Sequence, residues 1–175
     1  MASKELDWEA CARWVRTHQD KGQRVVFTNG CFDLLHAGHI HLLEEAGRLG
    51  DCLVVGVNSD ESVRRLKGSG RPITPLKDRL LVLKALTVVD VLVVFPSAEV
   101  PPEILEPNLL DTPHALLQKL RPDVLVKGGD YLPEEVVGRE FAGKVRIVPL
   151  LDGRSTSRII RQLDLVINSG NAVFD

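Results

Sequence analysis

Two histidines three positions apart, His36 and His39, follow the first apolar segment of the chain. That segment is predicted to be a strand over Arg24–Phe27, and a helix is predicted to begin at Gly38. Backbone N–H groups at such a turn, together with the positive end of the helix dipole, favour a bound anion. Because residues i and i+3 share one face of a helix, both imidazoles can address the same phosphate group. The spacing therefore predicts a phosphate site in the turn after the first strand.

The His-x-Gly-His tetrapeptide is a weak signal alone, because four residues recur by chance and histidines at helix starts often make only local hydrogen bonds. Its setting strengthens the signal, since Phe32-Asp33 precedes the histidines and a strand precedes both. We expect Gly38 to let a ligand lie against the backbone. A zinc site on these histidines and His41 is an alternative, but no cysteine or carboxylate completes one at the usual spacing. No metal ligands are therefore predicted.

The composition is that of an ordinary globular protein. The chain has 175 residues, of which 44% are hydrophobic and 26% charged, and its formal net charge is −2. This charge gives no general attraction to nucleic acid or to an anionic membrane, and no apolar run is long enough to span a bilayer. The N-terminus lacks the apolar region of a signal peptide, and Cys11, Cys31 and Cys52 show no metal-site spacing. We therefore expect a cytoplasmic protein with reduced thiols and neither a nucleic-acid nor a membrane partner.

Short apolar segments alternate along the chain with amphipathic ones. We predict strands at residues 24–27, 52–57, 88–95, 123–127 and 144–149, and helices at 7–20, 38–49, 59–66, 74–86, 112–120 and 155–163. This alternation indicates a parallel sheet covered on both faces, whose ligands lie outside the carboxyl ends of the strands. Thr74 is expected to be an N-cap, with Pro75 as the first residue of its helix. The domain is expected to span 1–163, with an N-terminal helix within 1–22, a surface insertion at 96–110 and a C-terminal tail at 164–175.

A dinucleotide-binding oxidoreductase shares this alternation, but its phosphate loop needs Gly-x-Gly-x-x-Gly after the first strand. That turn contains only Gly30, and no Gly-x-x-x-x-Gly-Lys-Ser/Thr loop occurs in the sequence. Because both common phosphate loops are absent, the predicted anion site depends on the histidines.

Together, these residues resemble the nucleotidyltransferase superfamily marked by His-x-Gly-His, and in particular the adenylyltransferase domain of ADP-heptose synthase. The resemblance covers about Val25 to Leu163, nearly the whole chain. The run Leu125 to Tyr131, with the sequence Leu-Val-Lys-Gly-Gly-Asp-Tyr, is its most specific part, because it separates this branch from its relatives. The other matching segments, in the order of the family, are 28–33, 36–39, 56–60, 67–72, 78–79, 111–113, 121–124, 137–138 and 155–160.

The resemblance implies a single Rossmann-like, doubly wound α/β domain with a five-stranded parallel sheet and helices on both faces. It also implies an adenylyltransferase that joins ATP, as its Mg²⁺ complex, to a heptose 1-phosphate and releases pyrophosphate. A phosphate oxygen of the sugar would attack the α-phosphorus in line, so no covalent enzyme intermediate is needed. Relatives further imply a homodimer. Bifunctional relatives carry a sugar kinase domain before this one, and no kinase is present here. They therefore imply either a separate sugar kinase upstream or that this chain is a fragment.

The resemblance also supplies candidate site residues. His36, His39 and Lys127 are the catalytic candidates, the histidines on the α- and β-phosphates and the lysine on the sugar phosphate or ATP. The candidates for binding the nucleotide, besides both histidines, are Phe27, Thr28, Asn29, Gly30, Cys31, Phe32, Lys67, Arg71, Arg79, Ser155 and Thr156. The candidates for binding the acceptor are Asp33, Lys127, Gly128 and Asp130.

Several assignments have plainer alternatives. Lys67 and Arg71 suit a lid over the triphosphate or, alternatively, a solvated linker. Arg79 suits the phosphates or is an exposed helix charge. Ser155 and Thr156 suit the β- and γ-phosphates or simply begin the last helix as caps.

Other features leave the acceptor open. The Gly128–Asp130 segment suits the hydroxyl groups of a substrate or is a plain turn, and the insertion at 96–110 interrupts the family pattern near the end of a strand. One rival function is a sibling enzyme with the same chemistry, either a cytidylyltransferase for glycerol or ethanolamine phosphate or an FMN adenylyltransferase. The other rival is a non-catalytic module that binds nucleotide.

Overall fold

The computed structural model describes residues 4–96 and 108–169, in which parallel strands alternate with helices. The strands are β1 (Val25–Gly30), β2 (Cys52–Asn58), β3 (Val91–Phe95), β4 (Val124–Gly128) and β5 (Lys144–Val148). The helices are α1 (Trp8–Gln19), α2 (Ala37–Gly47), α3 (Asp60–Lys67), α4 (Leu76–Ala85), α5 (His114–Leu120) and α6 (Thr156–Asn168). Two short 3₁₀ turns, Pro133–Glu135 and Arg139–Phe141, connect β4 to β5.

The strands form one sheet in the order β3-β2-β1-β4-β5, and every neighbouring pair is parallel. The chain moves outward from β1 in one direction to β3 and then returns to place β4 on the other side of β1. Open α/β sheets bind their ligands at the carboxyl ends of the strands on either side of such a reversal. The predicted five-stranded, doubly wound sheet is confirmed, and its switch point lies between β1 and β4.

Both faces of the sheet are buried, as the nearly continuous apolar strands predicted. All seven residues of β2 are buried. One core cluster joins the sheet to α1 and α5 through residues such as Val15 and Leu116, and the other joins the opposite face to α2 and α4 through Leu43 and Leu83. The helices therefore cover both faces, which leaves the strand ends as the place for a site.

Two helix boundaries differ from the predictions. Pro75, not Thr74, is the N-cap of α4, and it makes no side-chain capping bond. The first helical N–H groups, those of Asp78 and Arg79, donate to the Pro75 carbonyl, whereas the Thr74 carbonyl accepts the Arg79 side chain at 3.1 Å. The Thr74 N–H bonds to the Asp33 carboxylate at 2.9 Å. The last helix continues to Asn168, beyond the predicted boundary between 163 and 164, because the apolar periodicity of Ile159 and Ile160 extends through Val166.

The predicted insertion at 96–110 lies mostly outside the described residues. Its two flanks are both tied to the end of β2, since the Ser59 N–H donates to the Phe95 carbonyl at 2.8 Å and the Asn58 side chain donates to the Asp111 carbonyl at 3.2 Å. The segment thus leaves and rejoins the described structure at the carboxyl edge of the sheet. No helix in the described part of the chain is long and apolar enough to cross a membrane.

Gly56, in the middle of β2, generates a stability prediction. A Cβ atom there would lie 2.7 Å from Cζ of Phe27 and 3.1 Å from Cε1 of Phe95, both in the packed core. We expect Gly56→Ala to lower the free energy of unfolding by about 1–3 kcal/mol, because the two rings have no room to move. In contrast, nothing lies within 4 Å of a Cβ at Gly70. Gly70→Ala should therefore stay within about 1 kcal/mol of the unsubstituted protein in the same urea titration.

Candidate active site

The turn that follows β1 has an unusual backbone. Phe32 and Leu34 have φ angles of +49° and +48°, in the left-handed region that side chains other than glycine rarely adopt. Each such residue costs on the order of 1–3 kcal/mol, which the surrounding structure must offset. Asp33 lies between them and is 1% exposed, so the contacts of its buried carboxylate can offset that cost.

The Asp33 carboxylate holds the loop that precedes α4. It accepts hydrogen bonds from Arg71 Nε at 2.6 Å, from the Ile73 N–H at 3.0 Å and from the Thr74 N–H at 2.9 Å. Burial by itself would raise the pKa of Asp33, but the hydrogen bonds from Thr74, Ile73 and Arg71 outweigh it and lower the pKa. Asp33 is therefore ionised at neutral pH, and its oxygens are largely occupied by the protein itself.

Backbone N–H groups hold both histidines in the same tautomer. Nδ1 of His36 accepts a hydrogen bond from the Gly38 N–H at 3.1 Å, and Nδ1 of His39 accepts one from the His36 N–H at 3.4 Å. In a neutral imidazole whose Nδ1 accepts, the proton is on Nε2. The rings stack with centroids 3.9 Å apart. Both Nε2–H groups are thus available as donors from one stacked pair.

The two rings meet at the start of α2, and not as neighbours on one helix face as the spacing predicts. His36 is the N-cap of α2, with extended backbone angles, and only His39 lies within the helix. The pair is brought together by capping, since the ring of His36 folds back over the first turn. Burial lowers the pKa of His36, and burial with the neighbouring His36 lowers the pKa of His39 to about 4. The protonation state, which the sequence left open, is neutral for both at physiological pH.

The start of α6 lies against the same turn. Thr156 Oγ1 donates to the Asp33 carbonyl at 2.9 Å, and Ser155 Oγ accepts the Arg158 N–H at 3.3 Å as the N-cap. A Cβ at Gly38 would lie 3.0 Å from the Arg154 carbonyl. Gly38 therefore makes room for the loop before α6 and for the His36 ring. Room for a ligand against its backbone stays a prediction. The N-termini of α2 and α6 converge here, and both favour an anion.

Lys127 lies at the end of β4, beside the turn. Its Nζ donates to Asn29 Oδ1 at 3.4 Å and is 5.9 Å from the centroid of the Tyr131 ring. Burial lowers the pKa of Lys127, and the nearby Lys67 lowers it further. Gly128 ends the same strand, while Asp130 is exposed in the following turn. The structure thus brings Lys127, Asn29 and Lys67 into one electropositive neighbourhood at the switch point.

Arg71 and Arg79 have different environments. Arg71 contacts Asp33 through Nε, which leaves its two terminal nitrogens outside that bond. Arg79 is 2% exposed and donates to the carbonyls of Cys31 and Thr74 and to Asp60. It is not an exposed helix charge, because each of its three nitrogens bonds to the protein. Its contact with the phosphates stays a prediction.

The strand residues among the candidates are mostly interior. Phe27 packs in the core, and Thr28 is completely buried, with no hydrogen-bond partner for its hydroxyl within the described residues. Both belong to the β1 ladder, which extends to Gly30, so the free turn begins only at Cys31. β1 pairs with β4 only over Val26–Thr28, however, so its last two residues are paired on one side. The contact of backbone N–H groups from Thr28 to Phe32 with the nucleotide stays a prediction.

Two residues near the site were quoted in the sequence motifs without a role. The Asn58 side chain donates to Ser62 Oγ at 2.9 Å and lies 4.0 Å from Cys31 Sγ, and Asp60 is the ion-pair partner of Arg79 at 2.7 Å. Polar side chains directly after a buried parallel strand were the available signal. Among the described residues, no group of three His, Cys, Asp or Glu side chains is close enough together to hold a metal ion.

The tautomer and pKa of His39 are directly testable. We expect ¹⁵N spectra of the imidazole to show Nε2 protonated and the ring titrating at about pH 4, well below its usual pKa of 6.5. In that interval the unfolded chain binds a proton that the folded chain does not. Stability should therefore fall as the pH drops from 6.5 to 4. His39→Gln should lose less stability over the same interval in urea titrations, and an equal loss would contradict the assignment.

Comparisons with known proteins point to a family. The profile of the cytidylyltransferase-like family matches residues 27–162. The chain is 48% identical over 158 residues to the bifunctional protein HldE of Wolinella succinogenes, with 90% of this chain and 31% of that protein covered. It is 50% identical over 174 residues to the bifunctional protein HldE of Syntrophotalea carbinolica, with 93% of this chain and 33% of that protein covered. The chain thus spans about a third of the length of these relatives.

Solved structures agree on the fold. A lipopolysaccharide core biosynthesis protein from Thermoplasma volcanium is 28% identical, with a TM-score of 0.55 over 74% of this chain and 98% of that one. A pantoate–β-alanine ligase from Francisella tularensis has a TM-score of 0.62, with 95% of this chain and 76% of that chain covered. Because its sequence identity is 22%, this likeness supports the fold alone. Because the family profile spans the turn, both histidines, Lys127 and the start of α6, the chain belongs to the cytidylyltransferase-like family of nucleotidyltransferases.

Proposed function

We propose that the chain transfers AMP from ATP to a heptose 1-phosphate, giving ADP-heptose and pyrophosphate. The observation that carries this proposal is the stacked, neutral pair of His36 and His39 at two converging helix N-termini, beside the half-buried Lys127. Such a site offers N–H donors and positive charge, and none of its described nucleophilic side chains is hydrogen-bonded to His36 or His39. The choice of a heptose rests on the resemblance to ADP-heptose synthase, with which the identity to the HldE proteins agrees.

The proposed reaction is one displacement. An ionised phosphate oxygen of the sugar attacks the α-phosphorus of ATP, a new P–O bond forms, and the bond to the β-phosphate oxygen breaks to release pyrophosphate. The attacking oxygen carries its charge already at neutral pH, so no general base is required. Catalysis then depends on holding two polyanions together and on stabilising the charge that develops on the α-phosphate.

In this reaction the Nε2–H groups of His36 and His39 donate to oxygens of the α- and β-phosphates. Neutral imidazoles suit the task because their donors are fixed before the substrate binds and no proton has to be supplied. Lys127 stabilises the negative charge shared between the attacking and the leaving phosphate. The start of α6, with Ser155 and Thr156, is placed by its helix dipole to bind the β- and γ-phosphates.

Other candidates take supporting roles. Arg71 and Lys67 close over the triphosphate as part of the loop before α4, and the Asp33 carboxylate anchors that loop through Arg71. Gly128 and Asp130 lie at the end of β4, where the exposed carboxylate can accept hydrogen bonds from sugar hydroxyls. We propose a positioning role for Asp33, because donors of the protein occupy its oxygens.

ATP enters this reaction as its magnesium complex. Mg²⁺ prefers oxygen ligands and keeps several waters, and the phosphates supply oxygens where the described side chains form no cluster of metal ligands. Bound in this way, the ion would neutralise part of the phosphate charge. The protein contributes the N–H donors and the ammonium group.

The proposal extends to the surroundings of the enzyme. A sugar kinase must supply the heptose 1-phosphate, either as a separate protein or as another part of a longer chain, and we place both reactions in the cytoplasm. We also propose a homodimer. The helix α6 is consistent with it, because none of its described residues is buried and the side chains of Leu163, Val166 and Ile167 are half-exposed.

A second candidate is a cytidylyltransferase, which the description of the matched family favours. To distinguish these, we would measure pyrophosphate release with Mg²⁺ and either ATP or CTP. The acceptors would be heptose 1-phosphates, hexose 1-phosphates, glycerol 3-phosphate, ethanolamine phosphate and FMN. We expect release only with ATP and a heptose 1-phosphate. Release with another pair would reject the proposed acceptor or nucleotide, and tight ATP binding without release would favour a non-catalytic module.

The role of His39 has its own prediction. We expect His39→Ala to lower kcat by about 10²- to 10³-fold, because one donor to the transition state is lost. His41→Ala is the matched control, since this histidine lies on α2 outside the stacked pair and should keep normal turnover. Near-normal turnover of folded His39→Ala protein in the pyrophosphate assay would reject the assignment.

A further inference from the structure

We propose that Arg79 is a positioning residue that aims one backbone N–H, that of Phe32, at the phosphates of the nucleotide. This inference deepens the proposed function and rests on it, because it names a group that prepares the turn after β1 for an anion. No contact between Arg79 and a ligand is required. The residue acts through the peptide group that joins Cys31 to Phe32.

The guanidinium group of Arg79 connects three segments. Nη1 donates to the Cys31 carbonyl in the turn after β1, Nε donates to the Thr74 carbonyl at 3.1 Å, and Nη2 donates to Asp60 Oδ1 at 2.7 Å. The side chain of Arg79 is completely buried, whereas that of Asp60 is 31% exposed. Because a guanidinium is planar and rigid, three acceptors in different segments fix its orientation fully. The Cys31 carbonyl is thereby held toward α4.

The orientation of that carbonyl fixes the N–H on the other side of the same peptide. In a planar trans peptide the C=O and the following N–H point in opposite directions. With the Cys31 carbonyl held by Arg79, the Phe32 N–H therefore points away from α4. Within residues 4–96 and 108–169 this N–H has no hydrogen-bond acceptor.

An unpartnered donor here is significant, because Phe32 is only 2% exposed and buried N–H groups are nearly always satisfied. The ring of Phe32 lies 5.3 Å from the ring of His39, so Phe32 is a direct neighbour of the histidine pair. An anion bound by the histidines would supply the missing acceptor. A left-handed φ at Phe32 is otherwise unfavourable, and the bonds of Arg79 to Cys31 and of Asp33 to its loop hold the turn in this form.

The test compares two substitutions of the same chemistry. Arg79→Met removes the three donors, and Arg48→Met is the control, since Arg48 is an exposed side chain at the far end of α2 that contacts Glu45. Both proteins would be checked for folding by circular dichroism and thermal unfolding. We expect folded Arg79→Met to lose about 10²-fold in kcat, with little change in the KM of the sugar phosphate, as for a misplaced donor. The control should match the unsubstituted protein.

A spectroscopic readout separates positioning from a merely structural role. In ¹H–¹⁵N spectra of the unsubstituted protein, inorganic pyrophosphate should shift the Phe32 amide signal as well as the Nε2–H signals of the histidines. In Arg79→Met, or in Arg79→Lys if the first variant does not fold, the Phe32 shift should be lost while the histidines still respond. The lysine variant keeps a positive charge for Asp60 but offers one nitrogen in place of the three that bond to Cys31, Thr74 and Asp60.

Two results would overturn the inference while leaving the proposed function intact. One is a Phe32 amide that ignores pyrophosphate in the unsubstituted protein although the histidines respond. The other is a folded Arg79 variant with full turnover and an unchanged Phe32 response. If neither the histidines nor Phe32 respond to pyrophosphate, the proposed function itself fails, and this inference fails with it.

Discussion

The candidate site depends on one buried carboxylate. Asp33 lies between two residues with left-handed backbone angles, and its side chain binds Arg71 and the N–H groups of Ile73 and Thr74. Its own carbonyl accepts the hydroxyl of Thr156 at 2.9 Å. One residue thus joins the turn after β1, the loop before α4 and the first turn of α6. These segments are distant in sequence and meet at one carboxylate, whose pKa is lowered by its hydrogen bonds so that it stays charged in the interior.

The electrostatics of the site follow from this scaffold. Burial keeps His36 and His39 neutral and lowers the pKa of Lys127, so the positive potential comes from fixed dipoles and a few held cations. This arrangement suits phosphoryl transfer, because donors that are already oriented need no reorganisation when charge develops in the transition state. The chain has a formal net charge of −2, and its attraction for a polyanion is therefore local.

Much of the architecture was predictable because the physics is local. Apolar strands alternating with amphipathic helices require a parallel sheet with two covered faces, and the structure has the sheet and the two cores. The location of the site at the ends of β1 and β4 follows from the same rule. The start of α4 was less predictable, because Thr74 there bonds to the distant Asp33. Such a contact has no counterpart in the local sequence.

The sequence by itself determined which residue types are present near the switch point, since the strand ends carry the histidines, Lys127 and the start of α6. Only the tertiary structure decided what each polar group does there. It buried Arg79 beneath the turn and left Gly38 to accommodate Arg154, and it turned both imidazoles into Nε2–H donors. The charge, tautomer and direction of a side chain are set by its burial and its hydrogen-bond partners. Burial and partners in turn depend on residues that only folding brings together.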